Sequence, residues 1–484
     1  MPNGCFEQTS SSTYPNVLIL DYLKSVKKVK PEIQLKAEQY INVGYQRLVT
    51  FECKSGGFSW FGNEPAHQIL TAYGLLEFAD MSKVYEIDGA LIKRVQSWLL
   101  QKQLPDGSWL ETGHGIEEGI ITRQTGALRS TAYVAWALAE SGANASALQR
   151  GIEYVKRHLN EAKDAYTLAV ILNLLSKVEK ESDSTQQVAE RLIDLAKQEG
   201  EKAFWKSDSQ TFTGANGSGA DIESTGLAAF ALAKWGRNGG FLKKALTYLT
   251  LARDPHGSWN TTQGTVWAMK ALLFASANGS AESGNVVVKA NGHVVGKFEL
   301  TKEDSDVVRQ IDLSSHLTQG EAKIEMSFDG KSSLNYQLVS RFYSPWDQGG
   351  HLLAEEGPLS LKVEYDKTTL RVNDLAGVKV TIKNRSSSNA EMPLIDVGIP
   401  PGFEAVPDGL TSAVESKEIS KYSLTGRQII LYLTRLKAGE TVTIRYKVRA
   451  KYSLHAQTPK SSAYPYYNPE KVTHCAPQKI LVHA

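Results

Sequence analysis

The sequence predicts a multidomain α + β chain: an α/α toroid, then a partial β unit, then a C-terminal β-sandwich. Three observations carry this. Apolar and amphipathic helical segments alternate through the first half of the 484 residues. A glycine–aromatic turn recurs there at intervals of about fifty residues, the length of one helical hairpin. Near residue 283 the hydrophobic period changes from helical to alternating.

The helical half spans 1–282. Thr71–Phe78 and Ser130–Leu138 are apolar on most sides, whereas Gly89–Gln103 and Ser146–Leu159 are apolar on one face only. Such alternation suits inner helices buried on all sides and outer helices wetted on one. Gly56-Gly57-Phe58-Ser59-Trp60 returns as Asp106-Gly107-Ser108-Trp109 and as His256-Gly257-Ser258-Trp259, with a weaker Phe204-Trp205 between them. The beat near 155 has no marker. Five or six hairpins fit the span at about fifty residues each. An apolar inner helix cannot bury itself alone, and closing the hairpins into a ring buries them all.

The β unit is assigned to 283–346. Val286–Ala290, the turn Asn291-Gly292 and His293–Val295 read as a hairpin. A polar, glycine-rich linker covers 347–357, and the sandwich 358–484. Val378–Ile382 and Thr441–Tyr446 alternate with period two, as half-buried strands do.

Composition narrows the function. Hydrophobic residues make up 42% and charged residues 22%, with 54 basic against 52 acidic side chains and a net charge of +2. No basic stripe points to nucleic acid, and no apolar run reaches membrane-spanning length. Met1-Pro2 leads into Gly4-Cys5 without a signal-peptide pattern. Cys5, Cys53 and Cys475 are far apart, with neither disulfide-framework nor metal spacing. No cofactor or metal is implied. The sequons at Asn144, Asn216, Asn260, Asn278 and Asn384 are compatible with export.

Cys5 stands three residues before Gln8, one helical turn apart. A thiolate there can attack the Gln8 carboxamide, expel ammonia and form an internal thioester. Gly4 leaves the backbone room, and Phe6 is a candidate shield against water. The spacing alone is weak, and an inert buried cysteine is the plain alternative. Gly4-Cys5-Phe6-Glu7-Gln8 closely resembles the Gly-Cys-x-Glu-Gln thioester motif of the α2-macroglobulin and complement thioester-containing protein family. A bulky x resembles the bacterial members; most vertebrate members have Gly. Thr71-Ala72-Tyr73, Pro105-Asp106-Gly107, Glu223-Ser224-Thr225 and Ser258–Gln263 are similar to landmarks of that family's toroid. Residues 283–346 resemble the second half of a CUB domain. Leu394–Phe403 and Ala463–Asn468 are similar to stretches of the family's receptor-binding domain.

The resemblance implies covalent trapping of proteases, or tagging of other amine-bearing targets, with self-acylating chemistry in place of enzyme turnover. It implies the C-terminal part of a longer chain, a partner in the remainder of that macroglobulin, and a secreted, extracellular or periplasmic parent protein. The same resemblance leads one to expect the N-terminal β-domains, bait region and first CUB half outside this sequence. Counting back from Ser130-Thr131-Ala132-Tyr133 puts Glu117 where complement-type members have a catalytic histidine and α2-macroglobulin has asparagine. Direct aminolysis is therefore expected over ester formation, with His114 as the alternative nucleophile in the same loop. Glu7, Tyr464, Tyr466 and Tyr467 are the further candidates for shielding the thioester. The region after Gly402-Phe403 has no lysine where α2-macroglobulin has its receptor-contact lysines, and Lys417 and Lys421 read as a solvated face. Two other functions compete. One is a non-covalent adhesion module. The other is an isoprenoid enzyme of toroid fold, for which the acidic or Cys/His cluster is missing.

Overall fold

The computed structural model describes the chain apart from residues 1–3, 111–117, 144–145, 208–210, 213, 216, 255–256, 260, 279–282, 302–308, 318–319, 331–333, 335, 341–356, 467 and 469–470, and the side chains of 118–125 and 391. The linker assigned to 347–357 and the candidates His114, Glu117 and Tyr467 therefore lie outside the described residues, Gly357 excepted.

Helices fill the first part in chain order: α1 Phe6–Ser25, α2 Pro31–Leu48, α3 Gln68–Met81, α4 Gly89–Gln101, α5 Glu118–Glu140, α6 Ser146–Arg157, α7 Ala165–Val178, α8 Asp183–Asp194, α9 Gly217–Trp235, α10 Gly239–Leu251 and α11 Thr262–Asn278. The odd-numbered helices form a ring. Each packs on the next, and α11 returns to α1. Each even-numbered helix lies against its preceding odd neighbour. Sequence explains the layering. In α3 every residue except Asp80 is buried, so the helix needs neighbours all round. In α4 only Leu91, Val95, Trp98 and Leu99 are buried, a single stripe facing inward. The backbone breaks at Gly126 (φ 61°) within α5.

The recurring turn is a joint between outer and inner helices. Trp109 donates its indole N–H to the Leu99 carbonyl (2.7 Å) and its backbone N–H to Thr131 Oγ1 (2.8 Å). Trp205 does the same with Leu192 (2.6 Å) and Thr225 (3.1 Å), and Trp259 with Leu249 (2.6 Å) and Thr265 (3.0 Å). In the first repeat the equivalent residue is Phe58, whose N–H reaches Thr71 Oγ1 (2.8 Å). The expected match of Trp60 to Trp109 is thus displaced by two residues. The turn geometry fixes the register, because Cys53 N–H bonds the Gly57 carbonyl as Leu104 N–H bonds that of Ser108.

Beyond the ring, β3 Gly284–Ala290, β4 His293–Leu300 and β5 Ile324–Phe328 make an antiparallel sheet ordered β4-β3-β5; β1 Lys197–Glu199 and β2 Lys202–Phe204 form a small hairpin earlier in the chain. Asn291 (φ 51°) and Gly292 (φ 83°) take the left-handed turn conformation that the Asn-Gly pair predicts. The last part holds β6 Leu359–Tyr365, β7 Thr369–Arg371, β8 Leu375–Asn384, β9 Ala390–Glu391, β10 Pro393–Gly398, β11 Phe403–Val406, helix α12 Asp408–Glu415, β12 Lys421–Leu424, β13 Gln428–Tyr432, β14 Arg435–Leu436, β15 Thr441–Ala450, β16 Leu454–Gln457, β17 Ser461–Pro465, β18 Thr473–Cys475 and β19 Lys479–His483. Sheets β12-β13-β10-β17-β18 and β11-β15-β8-β6 enclose a core that includes Val380, Ile382, Ile395, Val397, Ile429 and Ile444.

Candidate functional site

Cys5 is the N-cap of α1, in extended conformation (φ −82°, ψ −176°). Gln8, at the third helical position, turns back so that its Oε1 accepts the Cys5 N–H at 3.0 Å. The two side chains proposed to react are therefore arranged as a capping box. Gly4 is required beside them. Its φ is +85°, and a Cβ there would overlap Gln8 Oε1. Cys5 is 1% exposed.

Phe6 runs inward. It is fully buried among Phe51, Phe58 and Tyr73, with ring centroids 6.0, 5.2 and 6.4 Å away. Its N–H donates to the Trp60 carbonyl (2.9 Å). Gly74 admits the ring, since a Cβ at that position would come within 2.9 Å of it. Phe6 thus anchors the motif in the toroid core. Glu7 is also buried and lines a narrow cavity with Trp60, His67, Tyr73, Tyr133 and Glu223. Burial pushes the Glu223 carboxyl up to about 7 and the His67 imidazole down to about 3.

The sandwich covers the motif from the other side. Tyr432 and Lys421 lie directly opposite each other on β13 and β12, so their side chains share one face. The Tyr432 side chain hydrogen-bonds Gln8, and burial pushes its hydroxyl pKa up. Lys421 Nζ donates to the Gly4 carbonyl (3.3 Å) and lies 5.4 Å from the Phe61 ring centroid. Arg47 from α2 donates to the same carbonyl (2.8 Å) and to Thr9 Oγ1 (3.2 Å). Met392 packs with Ala215 and Ala220, and Trp60 and Tyr466 close that cluster. Tyr466 senses both Cys5 and Glu7, and its side chain hydrogen-bonds Thr262.

The family model of the A-macroglobulin TED domain matches residues 1–274, and that of the A-macroglobulin receptor binding domain matches 388–475. The chain belongs to the α2-macroglobulin family. Among its relatives are ovostatin of Gallus gallus, 24% identical over 97% of this chain, and thioester-containing protein 1 allele R1 of Anopheles gambiae, 23% identical over 97%. The chain spans about a third of the length of these relatives (33% and 34%). It is similar in fold to native Escherichia coli α2-macroglobulin from domain MG7 to the C-terminus, with a TM-score of 0.68 at 15% identity over 100% of this chain and 74% of that one. Salmonella α2-macroglobulin reacted with methylamine gives the same score and identity over 100% of this chain and 30% of that one.

Within the family frame, the structure brings Cys5, Gln8 and Tyr466 together, with Phe6 and Glu7 beneath them. Tyr464 is set one step back. It pairs with Leu394 on β10, lies near Tyr432, and burial pushes its hydroxyl up to about 12. Lys421 corrects an expectation: it is half-buried against Gly4, whereas Lys417 is exposed. Arg47, Met392 and Tyr432 escaped the sequence reading, which took Trp60 for a turn residue and Lys421 for a solvated one. No local pattern points any of them at Cys5, and Lys421 meets Gly4 across 417 positions of chain.

Proposed function

We propose that Cys5 and Gln8 form an internal thioester, and that this chain is the covalent-capture part of a macroglobulin that traps proteases or tags other amine-bearing proteins. The observation that carries this is the buried capping box of Cys5 and Gln8 over Gly4, covered by a second domain. In formation, Cys5 Sγ bonds Gln8 Cδ and the carboxamide nitrogen leaves as ammonia, which carries off the thiol proton. In capture, an amine nitrogen attacks Cδ, the Cδ–Sγ bond breaks, its electron pair leaves on sulfur, and an amide remains. A buried bond excludes water until a target amine is admitted.

Amines are the preferred acceptors. The support is Glu117 in the family's histidine or asparagine position, since a carboxylate forms no acyl-imidazole and an amine needs none. Glu117 serves at most as a proton acceptor. The parent protein acts outside the cytoplasm, secreted or periplasmic, with the rest of the macroglobulin chain as its constant partner.

Intact mass and thiol titration of the full chain test the reading. Methylamine should add one methylamine residue and free one thiol, mapped to Gln8 and Cys5. Neither change leaves a non-covalent binding module. Competition between glycerol and a primary amine then tests the acceptor. Predominant ester rejects the amine preference, and loss of that ester in His114→Ala assigns His114 as the nucleophile.

A further inference from the structure

Two cations from different domains converge on one neutral oxygen beside Cys5. Arg47 Nη2 lies 2.8 Å from the Gly4 carbonyl and Lys421 Nζ lies 3.3 Å from it. Among the described residues neither has a carboxylate partner. Lys421 is half-buried, and its ammonium is disfavoured by burial and by Arg47, with Cys5 the group that favours it. A half-buried ammonium without an anion is costly, and the side chain next to the Gly4 carbonyl is the Cys5 thiol.

We propose that Lys421, contributed by the sandwich, is the counter-ion of the Cys5 thiolate, with Arg47 as its partner from the toroid. The α1 N-terminus, which Cys5 caps, adds a positive partial charge of the same sense. The other titratable groups at the site include, among the described residues, Glu7 from α1, whose carboxylate, where ionised, opposes the effect, and Tyr432 and Tyr466, whose hydroxyls burial keeps neutral. The consequence for capture rests on the thioester reading. Sulfur carries negative charge when it attacks Gln8 Cδ and again when it departs, so a cation beside it favours both steps. Because Lys421 reaches Gly4 only while the sandwich is docked, domain docking sets the ionisation of the thiol.

The test is the rate of iodoacetamide alkylation of Cys5 against pH, read on the Cys5 peptide by mass spectrometry after methylamine treatment of the full chain. The high-pH plateau reports access and the inflection reports charge. Lys421→Met should move the inflection up by about one pH unit, the size expected for losing a nearby opposite charge. Lys421→Arg should restore it, and Arg47→Met should shift it in the same direction. An inflection in Lys421→Met that matches the unsubstituted chain, or a shift in Lys421→Arg as large as in Lys421→Met, overturns the proposal. Cys5 can be alkylated whether methylamine released it or it was never acylated. Absent methylamine uptake therefore sinks the thioester, and an unmoved inflection sinks the counter-ion.

Discussion

A methyl group at position 4 would overlap Gln8 Oε1 and sit on a backbone with φ of +85°. Gly4→Ala is therefore expected to break the Cys5–Gln8 arrangement twice over, by strain and by overlap. The strain alone costs about 1–2 kcal/mol, which the toroid core can absorb. The variant should fold, with an unchanged far-ultraviolet spectrum, and take up no methylamine. Glu77 offers a second residue-scale prediction. It is fully buried in α3, and burial raises its carboxyl from 4.5 to about 8. Between those values the folded chain holds a proton that the unfolded chain has released, so stability falls as pH climbs. Glu77→Gln cannot ionise and escapes this loss. From pH 5 to pH 9 its stability relative to the unsubstituted chain should rise, by up to about 4 kcal/mol, as urea melts at both values would show. An unchanged difference would mean that Glu77 is ionised when folded.

The helical joints were legible in part. Glycine and tryptophan together announce those at Trp109 and Trp259, where the turn takes a left-handed residue (Gly107 φ 93°, Gly257 φ 89°) and the indole donates across the joint. The threonines that receive the tryptophan backbone were not legible, since a threonine inside an apolar helix carries no mark of its acceptor role. Nor was the silent beat. There Arg191 from α8 donates to the carbonyls of Leu159 and Ala162 and replaces the turn signal with a long side chain from elsewhere. Phe58 explains the displaced first repeat: it holds the joint, which leaves Trp60 to accept Phe6 N–H through its carbonyl. Thr225→Val tests the joint at nearly constant volume. It leaves the buried Trp205 N–H without its acceptor, a loss of about 1–3 kcal/mol. Thermal unfolding should begin earlier. Full stability in Thr225→Val would show that the joint depends on the indole bond alone.

At the scale of the molecule, the sandwich reaches the toroid through side chains no linear pattern connects: Met392, Lys421, Tyr432 and Tyr466 meet Ala215, Ala220, Trp60 and the Gly4–Gln8 turn. Each domain's fold follows from its own hydrophobic period, whereas their contact depends on shape and charge brought together only after both have folded. Met392 separates the two levels. It stands at φ 45°, a left-handed conformation costly for a side chain other than glycine or asparagine, and yet it is 8% exposed in the interdomain cluster. The sandwich thus holds a strained residue whose side chain serves the contact. Met392→Gly relieves the backbone by about 1 kcal/mol and deletes the apolar contact with Ala215 and Ala220. Unfolding of the sandwich should be unchanged or slightly later. Once methylamine has freed the thiol, Cys5, with this part of its cover from the sandwich loosened, should react with iodoacetamide at least about tenfold faster than in the unsubstituted chain treated alike, the equivalent of about 1.4 kcal/mol of lost docking. Alkylation of the Cys5 peptide over time measures this directly. Unchanged protection in a well-folded Met392→Gly chain would show that Lys421, Tyr432 and Tyr466 hold the domains together without the methionine, and that its strained backbone has some other cause.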